Sequence, residues 1–197
     1  MSTEKVATFV SDIHYDNLPK EVVDQAKKAI RDIICVSISA HFDEAVKAAR
    51  KMVLSRGGKG ESSLIGIDEK YPCDMAAFVN SIMASTQDMD DGSMGLPNHM
   101  QFHRGHPGGI LIPAALAVSE KTNAAGTRLI EAVVAGYEVA LSKAWLIGKT
   151  VLAGETGTVG ATAAASKLLG LNKSEIREAF NIVSAHCPAP SYAFIWK

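Results

Sequence analysis

Apolar residues recur along most of this chain with the spacing of one buried helical face. That periodicity restricts the fold more than any other feature. Between Pro19 and Ala40 they fall at Val22, Val23, Ala26, Ala29, Ile30, Ile33, Ile34 and Ile38, the i, i+3, i+4 pattern of an amphipathic helix. Pro19 suits a first turn, and Glu21 and Asp24 complement the positive end of the helix dipole. Asp43 to Ser55 repeats the pattern with Ala45, Val46, Ala49, Met52 and Val53, and Gly57 and Gly58 end it. Asp74 is placed to cap a helix running through Gln87, with Ala77, Phe78, Ile82 and Met83 facing inward. Further helices are expected at Ile110 to Lys121, at about Thr127 to Ile147, at Gly157 to Leu169 and at Ser174 to Ala185, the last with Ile176, Ala179, Phe180 and Val183 inward. Pro113 is tolerable only in or near a first turn. Thr127 reads as a cap, and Gly170 as a helix stop. Ser62 to Ile67 is the one good strand candidate, and one strand makes no sheet. The expectation is an all-α fold with at most one or two short strands. No repeat, low-complexity tract or linker divides the chain, so residues 1–197 read as a single helical domain.

Composition removes several classes of function. Lys plus Arg is 20 against Asp plus Glu 21, a net charge of -1. That gives no electrostatic footprint for nucleic acid or an anionic membrane. Aromatic residues are 6%, too few for a base-stacking platform. Cys35, Cys73 and Cys187 are odd in number and widely spaced, so neither a disulfide framework nor a CxxC metal motif is present. Cys35 is expected to pack as a small hydrophobe. Met1 to Asp12 is charged and has no apolar signal core, and no apolar run reaches the ~18 to 20 residues of a membrane span. A reducing cytoplasm is the expected location.

The chemistry concentrates in Asp88 to Gly109, DMDDGSMGLPNHMQFHRGHPGG. A stretch of that length without helical pattern in a compact domain is usually functional or mobile. Asp88, Asp90 and Asp91 crowd together, and neighbouring carboxylates raise one another's pKa toward a useful acid–base range. His99, His103 and His106 follow, with Arg104 between two of them; imidazole shuttles protons, and these cations suit an anionic substrate. The plainer reading is a solvated, turn-forming acidic cluster. A zinc or iron site from the three histidines and an aspartate is a further alternative, on a weakly specific spacing. DxDDG is no calcium loop, because Gly92 falls at its fifth position and no Glu at its twelfth. GETGTVG, Gly154 to Gly160, lacks the Gly-Lys-Ser/Thr ending of a phosphate loop and is expected to open an Ala-rich helix.

Five stretches, in order and covering nearly the whole chain, resemble the MmgE/PrpD family of 2-methylcitrate dehydratase and cis-aconitate decarboxylase. LPKEVVDQAKKAIRDIICVSISA is similar to its N-terminal helix, without the usual Asp-x-x-Gly. AAFVNSIMASTQDMDD resembles its Ala-Ala-Phe-x-Asn helix and Asp-x-Asp-Asp motif. HPGGILIPAALAVSE resembles its His-Pro-x-Gly helix start. GTRLIEAVVAGYEVALS and GATAAASKLLGLNKSEIREAFNIVSA resemble the helices that follow.

The resemblance implies a lyase that uses neither metal nor organic cofactor. It would remove a proton alpha to a carboxylate of a small polycarboxylic acid with loss of water or CO2; some relatives epimerise instead. Asp88 and His106 match catalytic positions of the family motifs. Asp91, His103 and Arg104 are expected on the substrate. A tuned base and cationic partners are what such a substrate needs. Two departures are evident. Gly154 stands where the family commonly has a His, and no His occurs between His106 and His186. Family members are usually more than twice this long, continuing into a smaller α+β domain absent here. The chain is therefore expected to be a subunit completed by a second polypeptide, a non-catalytic structural relative, or a rewired site in which His99 or His103 replaces the missing imidazole. Homo-oligomerisation is also expected. The apolar end YAFIW favours a C-terminus covered by the fold or a partner.

Overall fold

The computed structural model describes residues 3–92, 105–147 and 153–186, without the side chains of 143–147, 153–155 and 186. These residues form eight α-helices and one two-residue antiparallel ladder. The helices are α1 (Thr3–Asp12), α2 (Lys20–Ser39), α3 (Glu44–Arg56), α4 (Cys73–Ser85), α5 (Gly108–Thr122), α6 (Gly126–Ile147), α7 (Ala153–Leu169) and α8 (Lys173–His186). Strand β1 (Ser62–Ser63) pairs with β2 (Lys70–Tyr71), Ser62 opposite Tyr71. The all-α expectation holds. The strand expected over Ser62 to Ile67 shortens to two residues, because Leu64 to Ile67 closes a turn through Ile67 N–H to the Leu64 carbonyl at 3.0 Å. No helix among the described residues is long and apolar enough to cross a membrane.

Among the described residues, three apolar clusters hold the body together. The central one joins Val23 and Ile33 of α2, Leu111 and Ile112 of α5, Val133 of α6 and Leu168 of α7. A second packs Val46 and Val53 of α3 and the hairpin residues Leu64 and Tyr71 on Val79 and Met83 of α4. The third seats Val10 of α1 against Val139 of α6 and against Ile176 and Phe180 of α8. Helices α6 and α7 approach to backbone contact, since a Cβ on Gly136 would lie 3.0 Å from the Gly160 carbonyl oxygen and one on Gly160 2.9 Å from that of Gly136.

A buried charge cluster ties the N-terminal turn to this body. Glu131 of α6 accepts from the Tyr15 N–H at 2.9 Å and from Arg128 Nη1 at 3.2 Å. Lys167 of α7, 5% exposed, lies 4.0 Å from the same carboxylate and donates to the Ser11 carbonyl at 2.9 Å.

Several local expectations are corrected. Ile38 is 53% exposed and Cys35 is exposed, since the inward face of α2 runs through Val23, Ala26, Ile33 and Val36. Phe78 is 46% exposed, because α4 turns Ala76, Val79, Asn80 and Met83 inward. Asn80 takes one of those places by bonding the β1 segment, from Ile65 N–H at 2.9 Å and to the Ser63 carbonyl at 3.0 Å. Asp74 lies inside the first turn of α4, whose cap is Pro72. Thr127 likewise lies inside α6. Helix α5 begins two residues earlier than expected, so Pro113 is in its second turn, buried. The caps at Asp43, which accepts from Ala45 N–H, and at Gly170 are as expected. The terminal stretch 187–197 lies outside the described residues.

Candidate active site

The site forms where the chain leaves α4 and later enters α5. Asp88 N–H bonds the Ser85 carbonyl at 3.2 Å, and Asp88 then adopts a left-handed conformation, φ 53°. Asp and Asn tolerate that region better than other side chains with a Cβ. The reversal throws Met89 outward, 66% exposed, and turns Asp90 and Asp91 back toward the start of α5. The His-Pro-Gly-Gly sequence lies there, with Pro107 as cap and Leu111 N–H on its carbonyl at 2.9 Å.

The two aspartates both grip this helix start, Asp91 at Gly108 and Asp90 at Gly109. Asp91 accepts from Gly108 N–H at 3.0 Å through one oxygen and from the Tyr137 hydroxyl at 2.8 Å through the other. Asp90 places Oδ1 3.3 Å from Nδ1 of His106. The pair of glycines makes the approach possible. A Cβ on Gly108 would overlap the Asp91 carboxylate and crowd the Tyr137 hydroxyl, and one on Gly109 would overlap the Asp90 carboxylate. The first backbone N–H groups of a helix carry partial positive charge, which draws carboxylates to this end of α5.

Burial dominates the electrostatics. It pushes both the Asp90 and the Asp91 carboxyl above the usual aspartate range, against the pull of His106 on each. Tyr137 and Gly108 also pull the Asp91 value down. Burial and the Asp91 charge push the Tyr137 phenol well up, so its hydroxyl stays a donor. With raised folded-state values, the folded protein binds more protons than the unfolded chain across that window. Stability is then greatest below the window and falls as pH rises through it. Asp91→Asn abolishes this contribution. Relative to wild type, the variant is expected to gain stability from about pH 4 upward, measured as urea midpoints at a series of pH values. A difference that stays constant with pH would show that Asp91 ionises as easily folded as unfolded.

Of the residues expected from sequence, Asp88, Asp91 and His106 are brought together, while His99, His103 and Arg104 lie outside the described residues. Asp88, Asp90 and His106 each offer a ligating atom, all within 4.8 Å of one another. Two carboxylates and an imidazole so placed can pass a proton directly or through one water, and they are also a donor set suited to a divalent cation. Asp91 borders a cleft of about 670 Å3 between α2 and α6, together with Arg31, Lys28, Asp32 and Glu138. Sequence reasoning missed Tyr137, Lys28 and Arg31. Tyr137 stands in the Gly-Tyr-Glu stretch of α6, but nothing in periodicity indicates that α6 passes beneath the Asp cluster. Gly154, where the family's His is expected, falls in the first turn of α7.

Residues 4–191 match the family model of the MmgE/PrpD N-terminal domain. The cis-aconitate decarboxylase-like protein oryM of Aspergillus oryzae is 26% identical over 200 residues, covering 91% of this chain and 39% of that protein. The cis-aconitate decarboxylases of Homo sapiens and Mus musculus are each 28% identical, covering 95% of this chain and 40% and 39% of their own lengths. The chain thus spans about two fifths of these curated relatives.

Proposed function

This chain belongs to the MmgE/PrpD family, and from that premise we propose that it supplies one wall of a lyase site for a small polycarboxylic acid such as cis-aconitate or 2-methylcitrate. The reaction class is either dehydration, in which the proton alpha to a carboxylate and a beta hydroxyl leave as water, or decarboxylation, in which the carbanion left by departing CO2 takes up a proton. His106 and Asp88 are its proton-transfer groups. Asp91 holds the start of α5 and edges the cleft where substrate lies. The observation that carries this reading is the convergence of Asp88, Asp90 and His106 at the His-Pro-Gly-Gly helix start, on the residues that match the family motifs.

Charge argues for completion by further groups. Beside the cleft, Asp32, Asp91 and Glu138 outnumber Lys28 and Arg31, whereas a di- or tricarboxylate needs an excess of cationic donors. His103 and Arg104 are two candidates. The others belong to the remaining length of the relatives, carried by a second polypeptide or by further sequence, with a homo-oligomer as the assembled form. A second reading, a non-catalytic subunit, is favoured by Gly154 at the position of the family's His.

The test is native mass spectrometry of the protein purified from its own source. The intact assembly is then incubated with citrate-like acids in D2O. Deuterium entering the acid at the carbon alpha to a carboxylate, with loss of CO2 or water, is the expected result. An assembly that exchanges no proton and consumes none of these acids overturns the lyase reading in favour of the non-catalytic one.

A further inference from the structure

The Asp90–His106 contact bears on which imidazole nitrogen does the chemistry. Nδ1 of His106 is buried, yet the side chain keeps 28% exposure. Nδ1 therefore contributes nothing to that exposure, which belongs to the rest of the side chain. Facing Nδ1 is Oδ1 of Asp90, 3.3 Å away, on a side chain only 2% exposed. The distance is that of an ion pair, outside hydrogen-bond alignment. The electrostatic preference for a proton between the two survives this, because it depends chiefly on separation.

Asp90 has little freedom to turn away. Its carboxylate sits over Gly109, where a Cβ would overlap Oδ2 and lie close to the Ser85 hydroxyl. Oδ2 has no hydrogen-bond partner among the described residues. A buried carboxylate needs compensation for lost hydration, and here it comes from His106 and from the Asp90 backbone N–H. Among the described residues, the other charged groups near the imidazole are Asp88, exposed, and Asp91, already engaged by Gly108 and Tyr137. Of these, Asp90 is the one both buried and facing Nδ1.

We propose that Asp90 is a positioning residue: it keeps the proton of neutral His106 on Nδ1 and leaves Nε2 as the nitrogen that exchanges protons with substrate. The proposal rests on the reading of His106 as the proton-transfer group. In neutral imidazole one nitrogen donates and the other accepts, and the partner of the first decides which. An Nδ1–H form makes Nε2 the basic nitrogen of the ring. The reverse tautomer would turn the base toward a buried carboxylate and leave Nε2 only a donor.

Tautomers are read directly from long-range proton–nitrogen NMR spectra of the 15N-histidine-labelled protein, with His106→Gln assigning the signal. The wild type, at a pH where His106 is neutral, is expected to show a protonated Nδ1 and an unprotonated Nε2. Asp90→Ala is expected to move the proton to Nε2. Asp90→Asn, whose amide oxygen can still accept, should fall between. In the assembled enzyme, Asp90→Ala should lower kcat about 10- to 100-fold, part of the about 10²- to 10⁴-fold of a general base, with KM within about twofold. A wild-type spectrum with the proton on Nε2 overturns the proposal, and needs no variant to fold. So does an Nδ1–H form that persists in Asp90→Ala. Turnover unaffected by His106→Ala overturns the functional reading instead and leaves the tautomer result standing, so the two failures are told apart.

Discussion

His106→Ala is expected, on the proposed lyase reading, to lower turnover of the assembly by about 10²- to 10⁴-fold, the range for losing a positioned acid or base. Asp88→Asn should cost about 10²-fold on the same ground. Neither change should unfold the chain. Asp88 is an exposed side chain at φ 53°, and Asn adopts that conformation as readily as Asp. The His106 side chain is part-exposed, and the start of α5 keeps its other tie through Gly108 and Asp91. Far-UV circular dichroism and thermal midpoints should therefore stay close to wild type while kcat falls. Asp88→Ala is a poorer experiment, because it would add backbone strain to the loss of the carboxylate. Unchanged turnover in both variants would sink the site assignment.

Glu131→Ala carries the largest expected effect on stability. The carboxylate is 8% exposed, and it holds Arg128, faces Lys167 and satisfies the Tyr15 N–H. Removing it leaves a 5% exposed ammonium with only the more distant Asp12 carboxylate to offset its charge, and a backbone donor without its acceptor. Breaking such a buried pair costs about 3–5 kcal/mol. The low end applies here, because Arg128 is 38% exposed and Lys167 keeps the Ser11 carbonyl. For a chain of this size that lowers Tm by on the order of 10 °C. Glu131→Gln keeps an acceptor for Tyr15 and should cost less. A loss below about 1 kcal/mol, the range of a surface pair, would show that the cluster relaxes into solvent once opened.

Periodicity read the fold well where one face of a helix meets one core. Helices α3 and α8 were legible down to their buried residues, Val46, Ala49 and Val53 and then Ile176 and Phe180. Helix α1 was not. Its ten residues include only Val6, Ala7, Phe9 and Val10 as large or small hydrophobes, too few for a pattern. It exists because Val10 finds Ile176 and Phe180 from the far end of the sequence. The inward face of α4 was misjudged for a related reason. Asn80 occupies a buried place by virtue of its bonds to the β1 segment, and a hydrophobicity rule assigns that place to Phe78. In the site, the crowding of Asp88, Asp90, Asp91 and His106 into a short stretch was legible from residue type, and the choice of Asp88, Asp91 and His106 among them from the resemblance to the family motifs. The separate duties of Asp90 and Asp91 were not, since they depend on which residue at the start of α5 each carboxylate reaches. Tyr137 was hidden for the same reason, 46 residues from the Asp91 it holds.

The seating of α1 also bears on the order of events during synthesis. Its last residue, Asp12, pairs with Lys173, 161 positions later. At about 5–20 residues per second, the first helix waits roughly 8–30 s for α8 to be made. Through that interval Val10 has no cover from α8, and an isolated helix of ten residues is marginal in water. Helix α1 is thus made well before the helix it docks on, and a chaperone that binds short apolar stretches has its opportunity in that interval.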